Sequence, residues 1–225
     1  SMAFGQARIA VRAAAEVSDG VTRPGRLRLN LVQSTELGRA PPSPHPFVLE
    51  NGLPVIAPEI MSRLERISAS FKAAIKDGLS QTSRREAFIY VHGIQNTFAE
   101  SVFATGELWH YLGREGIPIA YSWPAGGGGL LRGYTYDRES GEFTVYHLKV
   151  FLKVLTSIPE LEGIHLITHS RGTDVVINAL RELVLEAYAR GEDPHTRYRI
   201  RNLVLAAPDL DLDVMLQRTF SERLS

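Results

Sequence analysis

Four short apolar runs punctuate the chain from its middle onward: "AFIYVH" from Ala87, "IPIAYSW" from Ile117, "GIHLITH" from Gly163 and "RNLVLAAPD" from Arg201. The stretches between them carry apolar residues at helical spacing. One opens at Thr97 and ends at Gly113, one runs through Phe143, His147, Val150 and Val154, and one carries Val176, Leu180, Leu183 and Ala187. A strand that leads each time into a helix needs a crossover to return, and crossovers produce parallel pairing. Because crossovers are right-handed, the expected product is a mostly parallel sheet with helices on both faces. "VMLQR" begins a further helix near the end of the sequence.

Upstream the rhythm differs. "ARIAVRA" and "RLRLNLV" alternate apolar and polar residues, with "SDG" and "RPG" between them as turn chemistry, which predicts a half-buried antiparallel hairpin. "PPSPHPFVLENGLPVIAP" holds six of the twelve prolines and is expected to be an ordered surface connection without regular structure. From Glu59 to Asp77 the residues Ile60, Leu64, Ile67, Phe71 and Ile75 recur at helical spacing, and Gly78 stands where a helix-ending glycine belongs. The whole is read as one α/β domain over residues 3–225, with Ser1-Met2 as a remnant of tag removal.

Composition narrows the function classes. Lysine plus arginine equal aspartate plus glutamate at 25 each, so no basic field draws nucleic acid. There is no cysteine, which removes disulfides, thiolate metal sites and a cysteine nucleophile. No run of about 18 apolar residues is present, so no transmembrane segment is expected. No histidine–carboxylate spacing suits a metal, and the run Gly126 to Gly129 is followed by no Gly-Lys-Ser/Thr, so neither metal nor cofactor is expected. Location stays open, with the cytoplasm favoured over a protein whose export signal or anchor was removed with its native N-terminus.

The third apolar run ends in "THSRG", Thr168 to Gly172. A strand that turns sharply into a helix through a serine flanked by small residues is how a nucleophile elbow is built; the plainer alternative is a helix N-cap. The first run ends in "VHGIQNTF", and a His-Gly at that place suits half of an oxyanion hole. The two amide donors would be those of Arg171, directly after the serine, and Ile94, after Gly93. Ser170 is thus the candidate nucleophile, and Asp209 or Asp211, in "APDLD", the candidate acid, with helix capping as the alternative for both.

These pieces, taken in order, resemble the α/β-hydrolase superfamily. In particular they resemble a bacterial family of uncharacterised hydrolases marked by V-H-G, S-W-P, Y-x-x-D-R-E-S, H-S-x-G and A-P-D. The chain carries them as "VHGIQNTF", "YSWPAG", "YTYDRES", "THSRG" and "LAAPDLD", across roughly Ala87 to Asp213. It departs from the pattern at Gln95 and at Arg171, where methionine is common; the arginine would tilt the site toward anionic acyl groups. The resemblance implies an α/β-hydrolase fold and a serine nucleophile. The expected reaction is hydrolysis of a carboxylic ester or related small acyl compound through an acyl-enzyme, an esterase-like serine hydrolase.

A serine needs a base, and in this fold the order is serine, acid, histidine. None of the seven histidines follows Asp213. His165 is expected in the core and His195 at the surface, while His92 and His169 shape the turns. The strand pair that would carry the histidine is therefore expected to lie outside this sequence. Either the gene continues, or a second polypeptide completes the fold, or the domain is a non-catalytic hydrolase-like binding module. "GGGG" beside Trp123, Tyr134 and Tyr136 reads as a lid over an apolar acyl site or, more plainly, as a slack surface loop. Asp137, Arg138 and Glu139 are expected to cap a helix, and Asp174 to support the first turn after the serine.

Overall fold

A computed structural model of the chain describes residues 2–18, 21–125 and 130–218, leaving out the side chains of residues 11–18, 21–28 and 130–138. The chain divides into two compact units, residues 1–71 and 72–225.

In the first unit, β1 (Ala3–Ser18) pairs antiparallel with β2 (Val21–Arg39), with Ile9 opposite Leu31 and Val11 opposite Leu29. The expected hairpin is present and longer than its alternating core. Arg23-Pro24-Gly25 is strand rather than turn, and the register slips beside Pro24, between Ala13 and Ala15. A proline has no N–H to give a ladder, so a bulge is where a strand tolerates it. The proline-rich stretch corrects the expectation of no regular structure: β3 (Phe47–Glu50) and β4 (Leu53–Ile56) form a second hairpin. Its turn is Asn51-Gly52, both at positive φ, the two-residue combination that matches strand twist. The prolines fall outside the ladder except Pro54, opposite Leu49.

Helix α1 (Pro58–Ser80) follows. It does not stop at Gly78. That glycine lies inside the helix, where an added Cβ would stand 3.2 Å from Ile117 Cδ1, so it serves a close approach rather than a cap.

The second unit is built on four parallel strands in the order β6-β5-β7-β8: β5 (Glu86–Val91), β6 (Ile117–Tyr121), β7 (Gly163–His169) and β8 (Ile200–Ala206). α2 (Phe98–Tyr111) connects β5 to β6 and starts in the expected capping box. Thr97 Oγ1 accepts from the Glu100 amide, and Glu100 Oε2 accepts from the Thr97 amide at 2.7 Å. α3 (Leu130–Thr156) connects β6 to β7 and begins well before Phe143, taking in the "YTYDRES" stretch that was expected to lead up to the helix. α4 (Gly172–Ala189) and the short α5 (Pro194–Tyr198) connect β7 to β8, and α6 (Leu212–Leu216) follows β8.

The connection from β5 to β6 runs in the opposite direction across the sheet to those from β6 to β7 and β7 to β8. With one handedness of crossover, α2 therefore takes one face while α3 and α4 take the other, where they pack together. The core between them is closed by fully buried Ile89, Leu148, Leu152, Leu155, Leu166, Ile177 and Leu183. Val176, Leu180 and Ala187 line the buried face of α4 as their spacing predicts. His165 is buried against Phe88, stacked at 4.6 Å, and His195 is exposed on α5. Among the described residues no helix is long and apolar enough to cross a membrane, and no group of three or more metal-ligating side chains occurs. Gly126–Gly129 and the side chains of Tyr134, Tyr136, Asp137 and Arg138 lie outside the described residues.

Candidate active site

In an open parallel sheet the crevice lies beyond the carboxyl ends of the strands, where the connections change direction. Here that point is between β5 and β7, and both strand ends carry sequence-predicted residues. Ser170 follows β7 directly with φ of 49°, a left-handed conformation that a non-glycine residue adopts at a cost. Three backbone hydrogen bonds hold it there. Its N–H donates to Ala206 O at 3.0 Å, and its carbonyl accepts from Thr173 N at 3.1 Å and Asp209 N at 3.2 Å. The strained turn is thus tied to the end of β8, to α4 and to the "APD" loop together. The half-buried Ser170 side chain makes no hydrogen bond to another described residue.

The glycines explain how the neighbouring loops come so close. A Cβ on Gly172 would lie 2.5 Å from His92 O and 2.6 Å from Val91 O, so the first turn of α4 can lie against the end of β5 only without a side chain there. A Cβ on Gly93 would lie 2.8 Å from Ser170 Cβ and 3.2 Å from His169 O. The turn after β5 therefore rests on the serine itself. Gln95, two residues on, has φ of 56° and completes the bend around Ile94. Among the described residues neither the Ile94 nor the Arg171 amide donates to another protein group. Thr168, in place of the usual first glycine, is fully buried, with its hydroxyl 2.9 Å from Thr173 Oγ1 and 3.2 Å from Val204 O.

The candidate acids separate. Asp211 is the N-cap of α6, its Oδ1 accepting from Asp213 N at 2.9 Å and Val214 N at 3.1 Å, which is the capping alternative. Asp209 is half-buried, its amide bonded to the carbonyl of the serine, and its carboxylate is not used as a cap.

The Arg171 side chain turns away from the expected role with anionic acyl groups. It pairs with buried Asp174 at 3.1 Å, and Asp174 also receives Arg218 at 2.7 Å and Asn178 Nδ2 at 3.2 Å. Two cations on one carboxylate beneath the elbow join the segment after α6 to the first turn of α4. Nothing local in the sequence signals this link, because Arg218 stands 44 residues from its partner.

His92 is buried completely and fully engaged. Its Nδ1 lies 2.7 Å from Gly93 O, its Nε2 accepts from Trp123 N at 3.1 Å, and the Trp123 indole N–H donates to His92 O at 2.7 Å. The two rings stack at 5.5 Å and 8°. The "SWP" segment after β6 thus reaches across to the end of β5. A buried indole N–H needs an acceptor, and the His92 carbonyl meets that need; the sequence reading missed this contact because the burial of Trp123 shows only in the fold.

A family model described as alpha/beta hydrolase of unknown function (DUF900) matches residues 67–224, more than half of the chain. The chain belongs to this α/β-hydrolase family. The matched span covers all four parallel strands and the Ser170 elbow, and it begins near the start of the second compact unit. No curated protein and no solved structure matches the chain.

Proposed function

We propose that this α/β-hydrolase is a serine hydrolase that cleaves carboxylic esters or related small acyl compounds through an acyl-enzyme on Ser170. The observation that carries the reading is the strained φ of Ser170 at the switch point, with a glycine turn packed against its Cβ. Strain of this kind persists only where surrounding structure fixes it, and it brings a hydroxyl out of the strand-to-helix turn.

In the proposed reaction Ser170 Oγ attacks the acyl carbon while a base takes its proton. The carbonyl oxygen becomes negative and accepts hydrogen bonds from the Ile94 and Arg171 amides. The carbon–oxygen bond to the leaving group breaks, the leaving alkoxide takes the proton from the base, and water then repeats the sequence on the acyl-enzyme. Asp209 is the acid that orients the base; Asp211, committed to α6, is the weaker choice. The base of such a triad is a histidine that the acid orients. Labelling of the native-length protein with a fluorophosphonate tests the reading: wild type is expected to label and Ser170→Ala is not, and equal labelling of both would overturn it.

A second reading, a non-catalytic hydrolase-like binding module, has one observation in its favour. Among the described residues no histidine is hydrogen-bonded to the Ser170 hydroxyl. Turnover of short acyl esters by the native-length protein, lost in Ser170→Ala, would exclude it.

A further inference from the structure

We propose that His92 is a positioning residue: as a neutral imidazole carrying its proton on Nδ1, it fixes the Gly93–Ile94 peptide from which the second oxyanion amide projects. The inference rests on the reading of Ser170 as nucleophile and adds a role for the His-Gly and Ser-Trp-Pro motifs that the reaction itself does not use.

The hydrogen bonds decide the tautomer. The Trp123 backbone N–H can only donate, so His92 Nε2, 3.1 Å away, presents its lone pair. Ser122 Oγ, 3.3 Å from the same nitrogen, is then a donor to it as well. The Gly93 carbonyl can only accept, so Nδ1, 2.7 Å away, carries the hydrogen. Both bonds are satisfied only by the neutral ring with its proton on Nδ1.

The consequence follows from peptide planarity. In a trans peptide the C=O of one residue and the N–H of the next point in opposite directions across a rigid plane. Holding Gly93 O toward His92 therefore aims the Ile94 N–H away from His92. Without that bond the peptide is poorly constrained: Gly93 has no side chain to restrict its ψ, and the next residue but one already sits at positive φ. Trp123 fixes the ring in turn, through its amide to Nε2, its indole N–H to His92 O and the stacked rings. The arrangement is a preorganised donor, set before any charge develops on the substrate.

Two substitutions separate the two nitrogens. His92→Asn places an amide N–H near the Nδ1 position and keeps the bond to Gly93 O, while His92→Gln reaches only the Nε2 position and loses it. In the native-length protein the second-order rate of fluorophosphonate labelling is expected to fall about 10- to 100-fold in His92→Gln and to stay within about threefold in His92→Asn. With a short acyl ester the loss should appear in kcat, with KM little changed. Wild-type labelling rates in folded His92→Gln, or equal losses in both variants, would overturn the inference. Nitrogen-15 spectra of the wild-type histidines give an independent reading, expected to show His92 protonated at Nδ1 and bare at Nε2; the opposite tautomer would overturn the inference. If wild type fails to label at all, the Ser170 reading falls by itself, and the proposed role of His92 in catalysis falls with it.

Discussion

Ser170 occupies a backbone conformation that costs on the order of 1 kcal/mol or more for a residue with a Cβ. Its N–H and carbonyl are bonded to three different segments, which is how that cost is sustained. The sequence made this residue legible because elbow chemistry is local: an apolar run, a serine and a glycine two positions later. Gly93 was legible for the same reason. Gly93→Ala would press a methyl to 2.8 Å from Ser170 Cβ, so the turn or the serine has to move. The expected outcome is a loss of at least about tenfold in fluorophosphonate labelling, since misplacement by about 1 Å suffices for that. Destabilisation of about 1–3 kcal/mol in urea unfolding should accompany it. What the sequence did not disclose was the direction of long side chains. Arg171 was read toward substrate although Asp174, its partner, stands only three residues on; Arg218, which shares that carboxylate, reaches it only in the folded chain.

At the level of elements, periodicity located the four parallel strands and the buried face of α4, because a pattern repeated over several residues outweighs any single one. Boundaries were less legible. α3 extends back to Leu130, where Gly133 and closely spaced aromatic residues disguise the helical repeat. The β3–β4 hairpin was hidden by counting prolines, although Asn51-Gly52 is itself a hairpin signal. A charged contact links α4 to the segment after α6. Asp174 is 12% exposed at its side chain and holds Arg171 at 15% and Arg218 at 31%. Removing the carboxylate leaves two half-buried cations unpaired. Asp174→Ala is therefore expected to lower stability by about 3 kcal/mol, read as a fall in the urea midpoint with an unchanged slope. A shift below about 0.5 kcal/mol would show the cluster to be solvated instead.

Across the whole molecule the sheet has two working ends. The carboxyl ends of β5 and β7 hold the candidate site, and the opposite ends are tied by polar contacts. There His165 Nε2 meets Glu86 Oε2 at 3.0 Å, Arg84 pairs with the same carboxylate, and Asn202 lies 2.8 Å from His165 Nδ1. Burial pushes the Glu86 carboxyl up, but hydrogen bonds from His165 and Arg84, with their charges, outweigh it and hold it below its ordinary 4.5. A depressed carboxyl stabilises the fold above the unfolded value, and the contribution fades as pH falls through the folded one. Glu86→Gln should thus cost about 1 kcal/mol at pH 7 and progressively less below pH ~4; a cost independent of pH between 3 and 7 would contradict the pairing.

The family match, the parallel sheet and the strained serine are the observations behind the proposed centre at Ser170. The most direct test of that centre is mass-spectrometric mapping of the fluorophosphonate adduct on the native-length protein. The account predicts a single modified peptide containing Ser170, absent from Ser170→Ala. An adduct on any other residue, with Ser170 unmodified, would contradict it.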